Sequence, residues 1–96
     1  MKLEKIERTP SEKKEFKAIY TLDDGSSKTI RFGTKSNFVL NNDKTELDRK
    51  NYIKRHQVRE NHNDPLTAGA LSRHLLWGDS RSLKKNINDF KTRFNV

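Results

Sequence analysis

Between Glu15 and Gly33 the chain alternates. Phe16, Ala18, Tyr20 and Leu22 share one side, and Lys17, Ile19 and Thr21 share the other, the period of a half-buried strand. "DDGSS" follows, with Gly25 placed to supply a positive φ in a tight turn. "SKTIRFG" then returns with Ile30 and Phe32 on one face against Thr29 and Arg31. "LEKIER" predicts a third strand, although Leu3 and Ile6 do not fall on one face. These segments predict a small antiparallel sheet, a hairpin or meander over about residues 2–33.

Beyond Gly33 the pattern lapses into a loop, with Phe38 and Leu40 expected to tuck beneath the sheet, and then the period changes. A first helix is predicted over about 43–60, opened by Asn42 or Asp43, with acids early, bases late and an incomplete apolar stripe of Leu47, Tyr52 and Ile53. Asp64 as cap and Pro65 at the first position predict a second helix over about 65–77, carrying Leu66, Ala70, Leu71, Leu75 and Leu76 and stopped by "GD". Asp79 or Ser80 opens a third over about 80–94, where Leu83, Ile87, Phe90 and Phe94 form a core-facing stripe. The fold class is therefore α+β: an antiparallel sheet followed by three helices, in a single domain spanning 1–96.

Composition sharpens this picture. With 96 residues, 35% charged and 30% hydrophobic, the chain lies near the disordered corner of composition space, and only the regular recurrence of its aromatics argues for one modest core. The absence of cysteine excludes disulfides and thiolate chemistry and fits a reducing compartment. Neither a signal-peptide pattern nor a membrane-length apolar run is present, so a soluble, non-secreted protein without membrane contact is expected.

The net charge of +8 points to a polyanionic partner. Arg49, Lys50, Lys54 and Arg55 crowd the first helix, while Arg81, Lys84, Lys85, Lys91 and Arg93 face only Asp89 at the C-terminal end. Such faces bind phosphates with little sequence preference, double-stranded DNA being the first expectation. "WGDS" between the second and third helices also allows a helix-turn-helix reading.

The stretch "RHQVRENHNDPLTAGALSRHLLW" (55–77) raises other chemistry. His56, His62, His74, Glu60 and Asp64 lie close in sequence, but no HExxH or two-histidine helical spacing is present. A His–Asn–His nuclease would need its histidine on a hairpin preceding a helix, whereas here the histidines begin at a helix end. A metal-dependent nuclease is accordingly the weakest reading, and neither metal, cofactor nor catalysis is expected. The segment reads instead as a structural corner. Glu60, Asn61 and Asp64 would satisfy backbone donors, with Glu60 capping or pairing with Arg55 or Arg59. Pro65 would start the helix. Gly69, inside "TAGALSR", would let the last helix or the sheet approach closely. Trp77 would close the core in preference to stacking on a base beside Arg73 and Arg81.

Taken together, "Y-I-x-R-H", "R-E-N-x-N-D-P-x-T-A-G-A-L-S-R", "L-L-W" and "S-L-x-x-x-I-x-D-F-K-x-R-F", with "F-K-A" (16–18), "R-F-G" (31–33) and "S-N-F" (36–38) upstream, resemble a family of short basic proteins of unknown function. That family is encoded by giant nucleocytoplasmic large DNA viruses. The resemblance covers most of the chain and departs from the family at His62, where an aromatic is expected. It carries over no catalytic or binding residue. It implies a setting: a viral protein made late and packaged, located in the virion and the host-cytoplasmic virus factory. The reading is a non-enzymatic virion-associated protein that binds nucleic acid through phosphate contacts. The alternative is a minor capsid or assembly protein whose basic faces meet acidic proteins.

Overall fold

The computed structural model describes residues 1–9 and 13–96. Strands β1 (Lys2–Arg8), β2 (Phe16–Thr21) and β3 (Ser27–Phe32) form an antiparallel meander with β2 central. At the β2–β3 turn Asp24 Oδ1 accepts from the Ser26 amide at 2.9 Å, and Gly25 takes φ +86°. In β2 the alternation is fully expressed: Phe16, Ala18 and Tyr20 are buried and pair with Phe32, Ile30 and Lys28 of β3. The odd spacing in β1 has a physical cause. A bulge between Leu3 and Lys5 inserts one residue, so Leu3 pairs with Tyr20 and Ile6 with Ala18, both on the core side.

The α+β expectation holds, while each helix starts later than its first available cap. Helix α1 is Glu46–His56, because Thr45 and Asp48 close a reciprocal capping box that Asn42 and Asp43 do not offer. Helix α2 is Ala68–Leu71, capped by Thr67 through the Ala70 amide at 3.2 Å. It passes directly into a π-helical turn, Ser72–Leu76, closed by the Trp77 amide on the Ser72 carbonyl at 3.0 Å. Asp64 does not cap α2. It makes an Asx turn to the Leu66 amide at 3.0 Å, which puts Pro65 in the turn and outside the helix. Helix α3 is Leu83–Phe94, capped by Ser82, not by Asp79 or Ser80.

The core joins Leu3, Phe16, Tyr20 and Phe32 of the sheet to Leu71, Leu75, Leu76, Trp77 and Phe90 of the helices, each side chain contributing on the order of 1.5–3 kcal/mol. Phe38 joins this cluster, and Leu83, Ile87 and Phe94 pack against it as the α3 stripe foretells. The Tyr20 hydroxyl donates to the Pro65 carbonyl at 2.6 Å, tying the sheet to the corner before α2, and burial raises its pKa. Leu47 is a correction: it is 67% exposed, and the buried position of α1 is Arg49. No helix among the described residues is long and apolar enough to cross a membrane.

Candidate functional site

Helix α1 packs through a charge. The Arg49 side chain is only 11% exposed, and its Nε donates to the carbonyls of Trp77 at 3.1 Å and Gly78 at 2.8 Å. Its Nη atoms reach Glu46 at 2.8 Å and Asp79. Those carbonyls sit where the π-helical turn ends, so the planar fork of Arg49 supplies the donors the terminus lacks. Arg49 is therefore unavailable to a phosphate. Arg81 is engaged similarly: its guanidinium lies 3.9 Å over the Phe38 ring and donates to the carbonyls of Phe38, Asn41 and Lys44. It fastens the loop after β3 to the start of α3.

One turn along α1 from Arg49, Tyr52 lies in a stack of three rings. Trp77 is 4.3 Å from it at 6°, and His56 is 4.0 Å away at 22°. Two rings that close cannot share one face of the phenol, so Tyr52 is the middle member, with buried Trp77 beneath and His56 outermost. Burial, helped by the Glu60 charge, pushes the Tyr52 hydroxyl up to about 12. Trp77 thus both closes the core and founds a platform.

Glu60 holds the outermost ring in place. It accepts from His56 Nδ1 at 3.1 Å and His62 Nε2 at 2.8 Å, and is paired with neither Arg55 nor Arg59. Burial raises its pKa, but the bonds from His62 and His56 outweigh it and leave the carboxyl below its ordinary value. The role of Gly69 is corrected: a Cβ at that position would stand 2.8 Å from Glu60 Cδ, so the bare position admits the Glu60 side chain, where the last helix or the sheet was expected. Asn61 serves the corner as expected, accepting from the Asn63 amide at 3.0 Å. His74 turns the other way: its Nε2 donates to the His62 carbonyl at 2.7 Å, and burial pushes its pKa down to about 4. Among the described residues no group of three or more His, Asp or Glu is arranged to hold a metal ion.

These elements surround a cleft of about 380 Å³, lined by Tyr52, Arg55, His56 and Glu60 from α1 and the turn after it, Gly69, Ser72 and Trp77 from α2 and its extension, and Lys14, Thr34 and Lys44 from the loops. Its size falls within the range of small-ligand sites. Lys14, Lys44 and Arg55 stand around it, and the one carboxylate among its described lining residues is already bonded to two histidines. No family model, curated protein or solved structure matches this chain. The site is therefore read from its own geometry.

The sequence-derived basic residues divide into two groups. Lys50, Lys54 and Arg55 are exposed on α1, and Lys84, Lys85 and Arg93 on α3, with Lys91 half-buried. Lys85 pairs with Asp89 at 3.0 Å, while Lys50, Lys54, Lys84 and Lys91 have no ion-pair partner among the described residues. Arg49 and Arg81 hold the framework. The cleft brings Arg55, Glu60, Gly69 and Trp77 together, whereas Lys84 and Lys85 lie outside it. Sequence reasoning missed Lys14 and Lys44, which come from separate loops and leave no spacing signal. Tyr52 and His56 were legible in principle, since four residues apart on a helix is the spacing at which rings meet.

Proposed function

We propose that this chain is a non-enzymatic, virion-associated protein that binds nucleic acid mainly through phosphate contacts. The supporting observation is the set of exposed lysines on α1 and α3, Lys50, Lys54 and Lys84, without acidic partners among the described residues, on a chain of net charge +8. An ammonium that is not neutralised internally keeps its charge for an external anion, and each phosphate it meets releases condensed counterions. The virion setting rests on the family resemblance alone.

Fluorescence anisotropy of a labelled 20-base-pair duplex across a salt series tests the reading. Binding should weaken linearly in log–log form, with a slope of about 0.9 per phosphate contacted. Replacing Lys84 and Lys85 by Glu should abolish binding at moderate salt, and Lys84→Glu alone should account for most of the loss, because Lys85 is already partly offset by Asp89. Absence of binding at low salt overturns the proposal and turns attention to an acidic protein partner.

A further inference from the structure

We propose that the cleft between α1 and α2 seats one unpaired nucleotide of a single strand, its base stacked on His56 and its phosphate held by Lys14, Lys44 and Arg55. This rests on the nucleic-acid reading above and names the form of ligand that the cleft takes.

Three observations converge. The first is the ring stack. Trp77 and Tyr52 are nearly parallel, Tyr52 is covered on both faces, and His56 ends the series with its side chain 37% exposed and lining the cleft. Its outer face has no ring partner among the described residues, so a base placed there continues a stack that already exists. The ring is also fixed: its Nδ1 is bonded to Glu60 at 3.1 Å, so a base would meet an imidazole of set orientation and not a free rotor. Stacking on a preformed platform is how proteins read splayed-out bases.

The second observation is charge. Among the described residues three cations stand around the cleft, each from a different segment, and the one lining carboxylate is taken up by two histidines. The cleft therefore favours an anion of modest size. The third is shape. A cavity of about 380 Å³ admits one nucleotide, whereas a base paired inside a duplex cannot enter a concave site. A flat aromatic platform beside several cations matches a nucleobase joined to a phosphate better than either a bare phosphate or an acidic side chain.

The shared chemistry, base plus phosphate, is found both in a strand and in a free mononucleotide, and the experiment separates them. The ¹⁵N-labelled full chain is titrated with oligo(dA) of eight nucleotides, with a 20-base-pair duplex and with adenosine 5′-monophosphate. The amides of Gly69 and Ser72 report the cleft, those of Lys84 and Lys85 the α3 face, and anisotropy gives affinity. With the single strand the cleft amides should shift, and with the duplex they should stay still while α3 responds. His56→Ala should weaken the single strand about tenfold or more and the duplex less than twofold, in line with base–aromatic stacking. His56→Phe keeps the platform without the Glu60 bond and should bind the strand within about threefold of the parent. Arg55→Ala, at an exposed site, should also weaken the strand.

Cleft amides that ignore the single strand, or a His56→Phe protein as weak as His56→Ala, overturn the inference while leaving the duplex binding and the proposed function intact. Mononucleotide affinity equal to that of the strand overturns the strand assignment. Silence with every probe removes the nucleic-acid reading itself.

Discussion

Replacing Arg49 by Met should cost more stability than any change to the exposed lysines, and the structure sets the size of the loss. Met keeps the apolar stem that packs beneath the guanidinium and removes only the donors. The Glu46 and Asp79 side chains are 56% and 80% exposed, so both carboxylates return to water at little cost. The Trp77 carbonyl retains a 3.3 Å contact from Arg73, but the carbonyl of buried Gly78 loses its side-chain donor. A charge-assisted bond contributes about 1.5–3 kcal/mol, and an orphaned buried acceptor costs about 1–3 kcal/mol. Since these overlap, about 2–4 kcal/mol is expected for Arg49→Met, or a fall in Tm of roughly 10–25 °C in a domain of this size. Urea denaturation followed by the fluorescence of the sole tryptophan, Trp77, measures it, with Lys50→Met as the exposed control expected within about 0.5 kcal/mol of the parent. Folded Arg49→Met protein should bind DNA as the parent does, because the parent's guanidinium is committed to Glu46, Asp79 and the carbonyls of Trp77 and Gly78. A loss below about 1 kcal/mol would refute the view that this arginine holds α1 to the end of the π-helical turn.

Two further outcomes follow from local geometry and titration. A Cβ on Gly78 would run into the His74 carbonyl and lie 2.7 Å from Asn86 Cγ, so Gly78→Ala should destabilise by about 2–3 kcal/mol in thermal melts; Gly25→Ala, with open space around it, should cost only about 1–2 kcal/mol for its φ of +86°. His74 is neutral in the fold because its pKa is pushed down to about 4 from 6.5 by burial, so below pH 6.5 the unfolded chain takes a proton that the folded chain refuses. Stability from His74 is thus full above pH 6.5 and lost as pH falls toward 4, and Tm measured from pH 7.5 to 4.5 should drop in the parent and flatten in His74→Gln. Glu60, with its lowered pKa, adds its own loss only below the ordinary carboxylate range, so a parent Tm that is level over this window would contradict the assignment.

What could be read in advance, and what could not, divides along physical lines. The alternation through β2 and the Leu83, Ile87, Phe90, Phe94 stripe were legible because burial follows side-chain polarity directly there. Helix starts were not, since several capping residues stood within a few positions of each other. The choice among them depends on which hydroxyl reaches the amide three residues on, and Asp64 was diverted into a turn of its own. Helix α1 showed only an incomplete apolar stripe, Leu47 of which is exposed, because its buried position is an arginine, which a pattern of apolar residues cannot reveal. Asn86, buried and donating to the carbonyls of Leu75 and Ser80 at 3.0 and 2.6 Å, escaped for the same reason. The cleft is lined by Lys14, Lys44 and Arg55 from three separate segments, and only the tertiary fold brings them to it.

The way the fold uses its two kinds of cation bears on what any bound nucleic acid would experience. Arg8 pairs with buried Glu15, Arg49 and Arg73 donate to carbonyls at the end of the π-helical turn, and Arg81 clamps the loop after β3. A planar guanidinium with donors in fixed directions suits carbonyls in fixed places, so these arginines have their geometry committed inside the molecule. Lys50, Lys54 and Lys84, by contrast, are mobile point charges that can meet a phosphate from many directions and distinguish no base. Binding through them alone would be strong at low salt and indifferent to sequence. Arg55 differs from both groups, being exposed on α1 and also lining the cleft beside the His56 ring. The proposed nucleotide seat puts a preference for unpaired over paired strands at that cleft. Lys54→Arg should leave selectivity unchanged, whereas a change at His56 or Arg55 should alter it.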